Sequence, residues 1–157
     1  MIMPKTHAFK PESLSQRIGS SYPKPFNSVA PNRIKHILGD HAGLTQYGVN
    51  FVVLPPGEAS ALRHWHRHED EFVYVLSGEV VLITNDGEEL MTTGMCVGFP
   101  AGVENGHHLV NRSTTNARYL EIGTRADSEE AYYPDVDLHV VTRDGQDYFT
   151  NKKGESV

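Results

Sequence analysis

The stretch His64-Trp65-His66-Arg67-His68-Glu69-Asp70-Glu71 places three imidazoles and three carboxyl groups directly before the apolar run Phe72-Val73-Tyr74-Val75-Leu76. Imidazole nitrogen and carboxylate oxygen together suit a divalent transition metal. Side chains alternate between the faces of a strand, so His64 and His66 point the same way and offer two parallel nitrogen donors. A carboxylate returning from the next strand could close a third side. A single His-x-His pair is common among surface histidines. What sets this chain apart is a second cluster, Asn105-Gly106-His107-His108-Leu109-Val110-Asn111, so that five of the nine histidines fall in two short windows.

The elements that would hold these residues read as short strands. Tyr47 to Leu54 is rich in β-branched and aromatic residues and stops at Pro55-Pro56-Gly57. Leu62 to His66 begins the candidate metal strand, and Arg67-His68-Glu69-Asp70 forms a turn whose charges are solvated, His68 alternatively orienting a ligand. Phe72 to Leu76 is apolar on both faces, so both should be covered. Glu79 to Thr84 and Glu88 to Thr92 flank the hairpin signal Asn85-Asp86-Gly87. Met95 to Phe99, His107 to Val110 and Ala117 to Gly123 follow. Asp127 to Ala131 suggests one helical turn before Pro134. Leu138 to Arg143 and Gln146 to Thr150 flank a second hairpin signal, Asp144-Gly145. Strands at this spacing favour an all-β sandwich or barrel. Residues 1–32, with Pro4, Pro11, Pro23, Pro25 and Pro31, read as an extended arm, residues 33–150 as a single barrel domain, and residues 151–157 as a polar tail.

Composition narrows the function classes. A chain of 157 residues with 38% hydrophobic and 22% charged residues has enough apolar material for one core. The formal net charge of −6, without a lysine- or arginine-rich run, argues against nucleic acid as a partner. No apolar run approaches the ~20 residues that span a bilayer, and Met1 to Lys10 is too interrupted for a signal core, so no membrane partner and a cytoplasmic location are expected. Cys96 is the single cysteine and reads as a buried spacer between Met95, Val97 and Phe99. Trp65, between two inward histidines, should face away, packing on the arm or a partner subunit.

These residues resemble the cupin superfamily, whose fold is a double-stranded β-helix or jelly-roll barrel. Its first motif, a Gly, a His-x-His pair, a Glu and a closing Gly, matches Gly57, His64, His66, Glu71 and Gly78. Its second, a Gly, a Pro-x-Gly and a His followed four positions later by Asn, matches Gly94, Pro100-Ala101-Gly102, His107 and Asn111. The gap from Gly57 to His64 is one residue longer than usual, and that from Gly102 to His107 two residues longer. That insertion leaves both His107 and His108 as candidates for the inward position; the distance to Asn111 favours His107. The resemblance covers roughly residues 45–123 and implies an all-β jelly-roll barrel with a Pro-rich N-terminal arm and a C-terminal hairpin. It also implies metal ligation by His64, His66, Glu71 and His107. The donor set suits Zn, Fe, Mn or Ni in the divalent state.

Two functions follow from the resemblance. One is a metal-dependent enzyme of isomerase or dioxygenase type acting on a small oxygenated metabolite. The other is a non-catalytic binding or sensor module holding metal or a small ligand. The isomerase version lacks a base, because Glu71 is committed as a ligand. The inward neighbours Val73, Val75, Leu109 and Asn111 suggest a largely apolar interior, and no phosphate cradle is evident. The apolar faces of Phe72 to Leu76 and an arm with nothing local to pack on point to a homodimer.

Overall fold

Short β-branched and aromatic runs punctuated by glycine and proline fold as thirteen strands among the described residues. The computed structural model describes residues 7–157. The first six residues of the expected arm, Pro4 among them, lie outside the described residues. One sheet has six antiparallel strands in the order β1 (Arg17–Ile18), β2 (Ile34–Ile37), β3 (Tyr47–Leu54), β10 (Ala117–Thr124), β5 (Glu71–Ser77) and β8 (Cys96–Phe99). Facing it are two smaller sheets. One is β7 (Gly87–Thr92), β6 (Glu79–Thr84) and β9 (His108–Val110); the other is β13 (Gln146–Thr150), β12 (His139–Arg143), β11 (Ser128–Tyr132) and β4 (Trp65–His66). Reciprocal backbone hydrogen bonds between His64 and His107, at 3.1 and 2.8 Å, join these two sheets. The fold is thus all-β, as the strand spacing predicts.

Alternation within β5 decides the core. Val73 and Val75 point inward and are buried with Val52, Leu54, Val80, Leu82, Met91 and Leu109. Each fully buried aliphatic side chain of this size contributes about 1.5–3 kcal/mol. The alternate residues Phe72, Tyr74 and Leu76 point outward and remain 40%, 39% and 38% exposed. Within the chain only the inner face of β5 is covered, and the outer face stays partly exposed. A second core, built on Ala131, Tyr133, Leu138 and Val140, receives Tyr22 and Phe26 from the arm. Tyr22 meets Tyr133 and Phe149 edge-on, with ring centroids 5.8 and 6.3 Å apart. The arm therefore packs on its own chain, and β1 adds a strand to the large sheet.

Two local expectations are corrected. Ser128–Tyr132 is a strand, not a helical turn, because it pairs with β12 on one side and β4 on the other. Cys96 is exposed, since it sits opposite Tyr74 on the outer face of the β5–β8 pair. Trp65 faces away from the histidines, as alternation requires, and stacks on Tyr132 of β11, with centroids 4.4 Å apart and planes 11° from parallel. The two hairpin signals form as expected, with both Asp144 and Gly145 at positive φ, as a type I′ turn requires.

Gly78 joins β5 to β6 at φ +75°, and a Cβ there would stand 2.8 Å from the Asn116 carbonyl oxygen. Neither the left-handed backbone nor the clash with main chain can relax cheaply. Gly78→Ala is expected to cost roughly 3 kcal/mol, lowering Tm by about 6–12 °C in a chain of this length. A thermal melt within 2 °C or so of the parent would refute that reading.

Candidate metal centre

His64 and His107 face each other as a bridge pair, so their side chains leave the sheet on the same side. Their ring centroids lie 4.9 Å apart, and the His66 centroid is 4.9 Å from His64. Glu71, at the start of β5, reaches this group from the opposite sheet. Its Oε2 is 2.9 Å from His107 Nε2, 3.5 Å from His66 Nε2 and 4.0 Å from His64 Nε2. The donor atoms of His64, His66 and Glu71 all lie within 4.8 Å of one another. His107 joins this compact group through its contact with Glu71. His108 points elsewhere, its Nδ1–H donating to the Ala61 carbonyl oxygen at 2.9 Å.

The electrostatics favour a neutral His64 beside an ionised Glu71 carboxylate. Burial, reinforced by the neighbouring His66, pushes the His64 imidazole down to about 4. Its Nδ1–H donates to the Leu62 carbonyl oxygen at 2.7 Å, which leaves the Nε2 lone pair facing Glu71. Burial alone would lower His66 and raise Glu71. In both cases the contacts among Glu71, His66 and His107 outweigh it, so His66 lies above the ordinary histidine value and Glu71 well below the usual carboxylate range. Phe99 stacks flat on the His107 ring, with centroids 3.5 Å apart and planes 3° from parallel, and fixes its direction. Three nitrogens and one oxygen suit Zn(II), Fe(II), Mn(II) or Ni(II), and the Nδ1 atoms of His66 and His107 are buried without a partner. The chemistry of this donor set fits a divalent transition ion.

Residues around the cluster have other tasks. Glu129, with His66 and Glu69, forms a second compact acidic and imidazole group. The Glu129 carboxylate, however, already accepts backbone N–H bonds from Arg67, His68 and Glu130, at 2.9, 3.0 and 2.6 Å. It therefore ties down the turn after β4. His68 lies 3.8 Å from Glu129 and is not part of the first cluster. Asp70 accepts the Ala101 N–H at 2.8 Å and so organises the neighbouring turn instead of being merely solvated. Asn111 is fully buried, and it is a staple for the backbone. Its Nδ2 donates to the Leu54 and Thr115 carbonyl oxygens, both at 2.8 Å, and its Oδ1 accepts from the Ser113 N–H and hydroxyl.

A cavity of about 380 Å³ opens beside the cluster. Val73 and Leu109 line it as expected, but its wall also carries a polar group. Lys35, Asn50 and Glu121, from three adjacent strands, all line it. Lys35 Nζ and Asn50 Nδ2 both donate to Glu121 Oε1, at 2.6 and 3.1 Å. Glu121 pairs across the sheet with Val73, one inward step from Glu71, so the two carboxylates share a face as diagonal neighbours. The signal in the sequence is partial: Asn50 and Glu121 each sit between apolar neighbours in a strand run, whereas Lys35 adjoins His36. Nothing in their spacing joins the three.

The comparisons with known proteins agree with this architecture. The cupin domain family model matches residues 50–123. A sugar phosphate isomerase of the cupin superfamily from Silicibacter pomeroyi is 44% identical, with 96% of each chain covered and a TM-score of 0.92. The chain belongs to the cupin superfamily. A second relative of this cupin, a candidate sugar phosphate isomerase from Acidithiobacillus ferrooxidans, is 30% identical over 80% of each chain, with a TM-score of 0.73. The polyketide cyclase RemF from Streptomyces resistomycificus, 20% identical with a TM-score of 0.59, covers 78% of this chain and 80% of its own and shares the fold alone. No curated protein matches the cupin. Among the described residues, no helix is long and apolar enough to cross a membrane.

Proposed function

We propose that this cupin is a metal-dependent isomerase of a small phosphorylated hydroxycarbonyl metabolite. The observation that carries the reading is Glu121, a cavity carboxylate that is independent of the histidine cluster yet shares its face. It supplies the base that an isomerase needs when Glu71 is committed to the metal. The names carried by the relatives 44% and 30% identical support the substrate class. A divalent ion held by His64, His66, Glu71 and His107 would supply Lewis-acid polarisation of a substrate carbonyl.

The chain's own residues handle the proton. Lys35 and Asn50 both hold Glu121 Oε1, and among the described residues Oε2 accepts no hydrogen bond. Oε2 takes the proton from the hydroxyl-bearing carbon beside the carbonyl and returns it to the carbonyl carbon, while the hydroxyl proton passes to the former carbonyl oxygen. The substrate changes constitution with no gain or loss of electrons. The test is a panel of aldose and ketose phosphates incubated with protein reconstituted anaerobically with Zn(II), Fe(II), Mn(II) or Ni(II), with solvent deuterium incorporation read by mass spectrometry. Incorporation into one substrate pair supports the proposal; none across the panel sinks it.

A second copy of the chain is the proposed partner. With the arm packed on its own chain, the exposed row Phe72, Tyr74 and Leu76 supports that pairing. Sedimentation at micromolar concentration is expected to give a dimer, and a monomer would remove the proposal.

A further inference from the structure

Arg33 is a cation in an unusual position. Only 8% of it is exposed, and it lines the same cavity as the histidine cluster. Its Nη1–H donates to the Ser60 carbonyl oxygen and its Nη2–H to the Gly19 carbonyl oxygen, the latter at 2.8 Å. Its Nε is buried without any partner, and among the described residues no carboxylate pairs with it. The six residues before them carry no acidic side chain. Burying a guanidinium, a permanent cation, against neutral carbonyls alone is costly.

A second orphan stands on the same cavity. Tyr119, on β10, is 1% exposed, and its buried hydroxyl has no well-formed hydrogen bond, with the Ser60 side chain standing beside it. Burial pushes its phenol well above the ordinary tyrosine value, so it remains a donor. Along the inner face of β10 and β5, Gly123 pairs with Glu71, Glu121 with Val73 and Tyr119 with Val75. The metal cluster, the Glu121 carboxylate and the Tyr119 ring thus follow one another along one wall. The backbone separation from Glu71 to Val75 is about 13 Å, before either end's side chain reaches inward. Two buried donors, one on a full positive charge, ask for an acceptor-rich anion.

We propose that Arg33 and Tyr119 form an oxyanion subsite at the end of the cavity opposite the histidine cluster. It holds the anionic end of a substrate whose oxygenated end meets that cluster. The inference deepens the isomerase reading and rests on it for the substrate's other end, but the subsite itself requires no metal.

The test uses metal-free protein and two probes, inorganic phosphate and acetate, titrated at constant ionic strength with Tm and calorimetric binding as readouts. Saturating phosphate is expected to raise Tm by roughly 4 °C. A response to phosphate identifies a phosphate ester as the natural group, and a response to acetate alone identifies a carboxylate. Tyr119→Phe removes no charge, so net attraction of anions is unchanged. It is expected to leave the anion-free Tm at or above that of the parent while weakening anion binding by about tenfold. Arg33→Met is expected to abolish binding. No response to either probe, or an undiminished response in Tyr119→Phe, overturns the subsite. His64→Ala retains the phosphate response. Loss of metal with that response intact therefore separates the two ends of the cavity, and an intact response without turnover on the sugar panel sinks the isomerase reading alone.

Discussion

Glu121→Gln is expected to lower kcat on the substrate that the panel identifies by about 10²- to 10⁴-fold while leaving one metal ion per chain. The amide keeps an oxygen for Lys35 and Asn50, which meet Oε1 at 2.6 and 3.1 Å, so the side chain stays in place. What it loses is the oxygen that can take and return a proton. KM should move little, because the substituted atom neither carries the substrate's charge nor belongs to the metal cluster. Deuterium exchange into the substrate should fall in parallel with turnover, which a loss of packing alone would not produce. A kcat within about twofold of the parent, at full metal content, would show that the proton travels through another group.

His64→Ala is expected to reduce bound metal from one ion per chain to below about a tenth, measured by elemental analysis after purification without chelators. His64 is the best prepared of the candidate ligands. Its Nδ1–H is committed to the Leu62 carbonyl oxygen at 2.7 Å, and burial keeps the ring neutral down to about 4. The adjacent Trp65 cannot replace it, since it leaves the opposite face to stack on Tyr132. Glu71→Ala should have the same effect, because Glu71 is the only oxygen donor to reach the histidines from the large sheet in this group. His108→Ala serves as the control and should retain metal, its Nδ1 being tied to Ala61. Unchanged metal in His64→Ala or Glu71→Ala would overturn the assignment.

The parts of this design that were legible in the sequence are those fixed by local period. Alternation places His64 and His66 together, turns Trp65 outward and buries Val73 and Val75 beneath Glu71. The same rule, applied to Cys96, would have put it on the outer face with Tyr74. Its apolar neighbours Met95 and Val97 suggested burial instead. What stayed hidden depends on strands that meet only in three dimensions. Lys35 and Glu121 are separated by 86 positions, and Asn50 and Glu121 by 71. No spacing rule joins them before the order β2-β3-β10-β5 is known. Likewise, Asp127 and Pro134 suggested a local turn for Ser128–Tyr132. Pairing on both edges overrode that suggestion. The arm appeared unsupported because Tyr133 and Phe149, which receive Tyr22, lie more than a hundred positions downstream.

The reciprocal hydrogen bonds between the main chains of His64 and His107 also bear on how such a protein can change over time. They set the phase of the second histidine strand independently of the loop that precedes it. Val103 to Gly106 can lengthen or shorten without deciding whether His107 or His108 looks inward, because each new loop must still deliver its chain into the same pair of amide contacts. A change of length in that loop would thus leave the pairing of His64 with His107 in place.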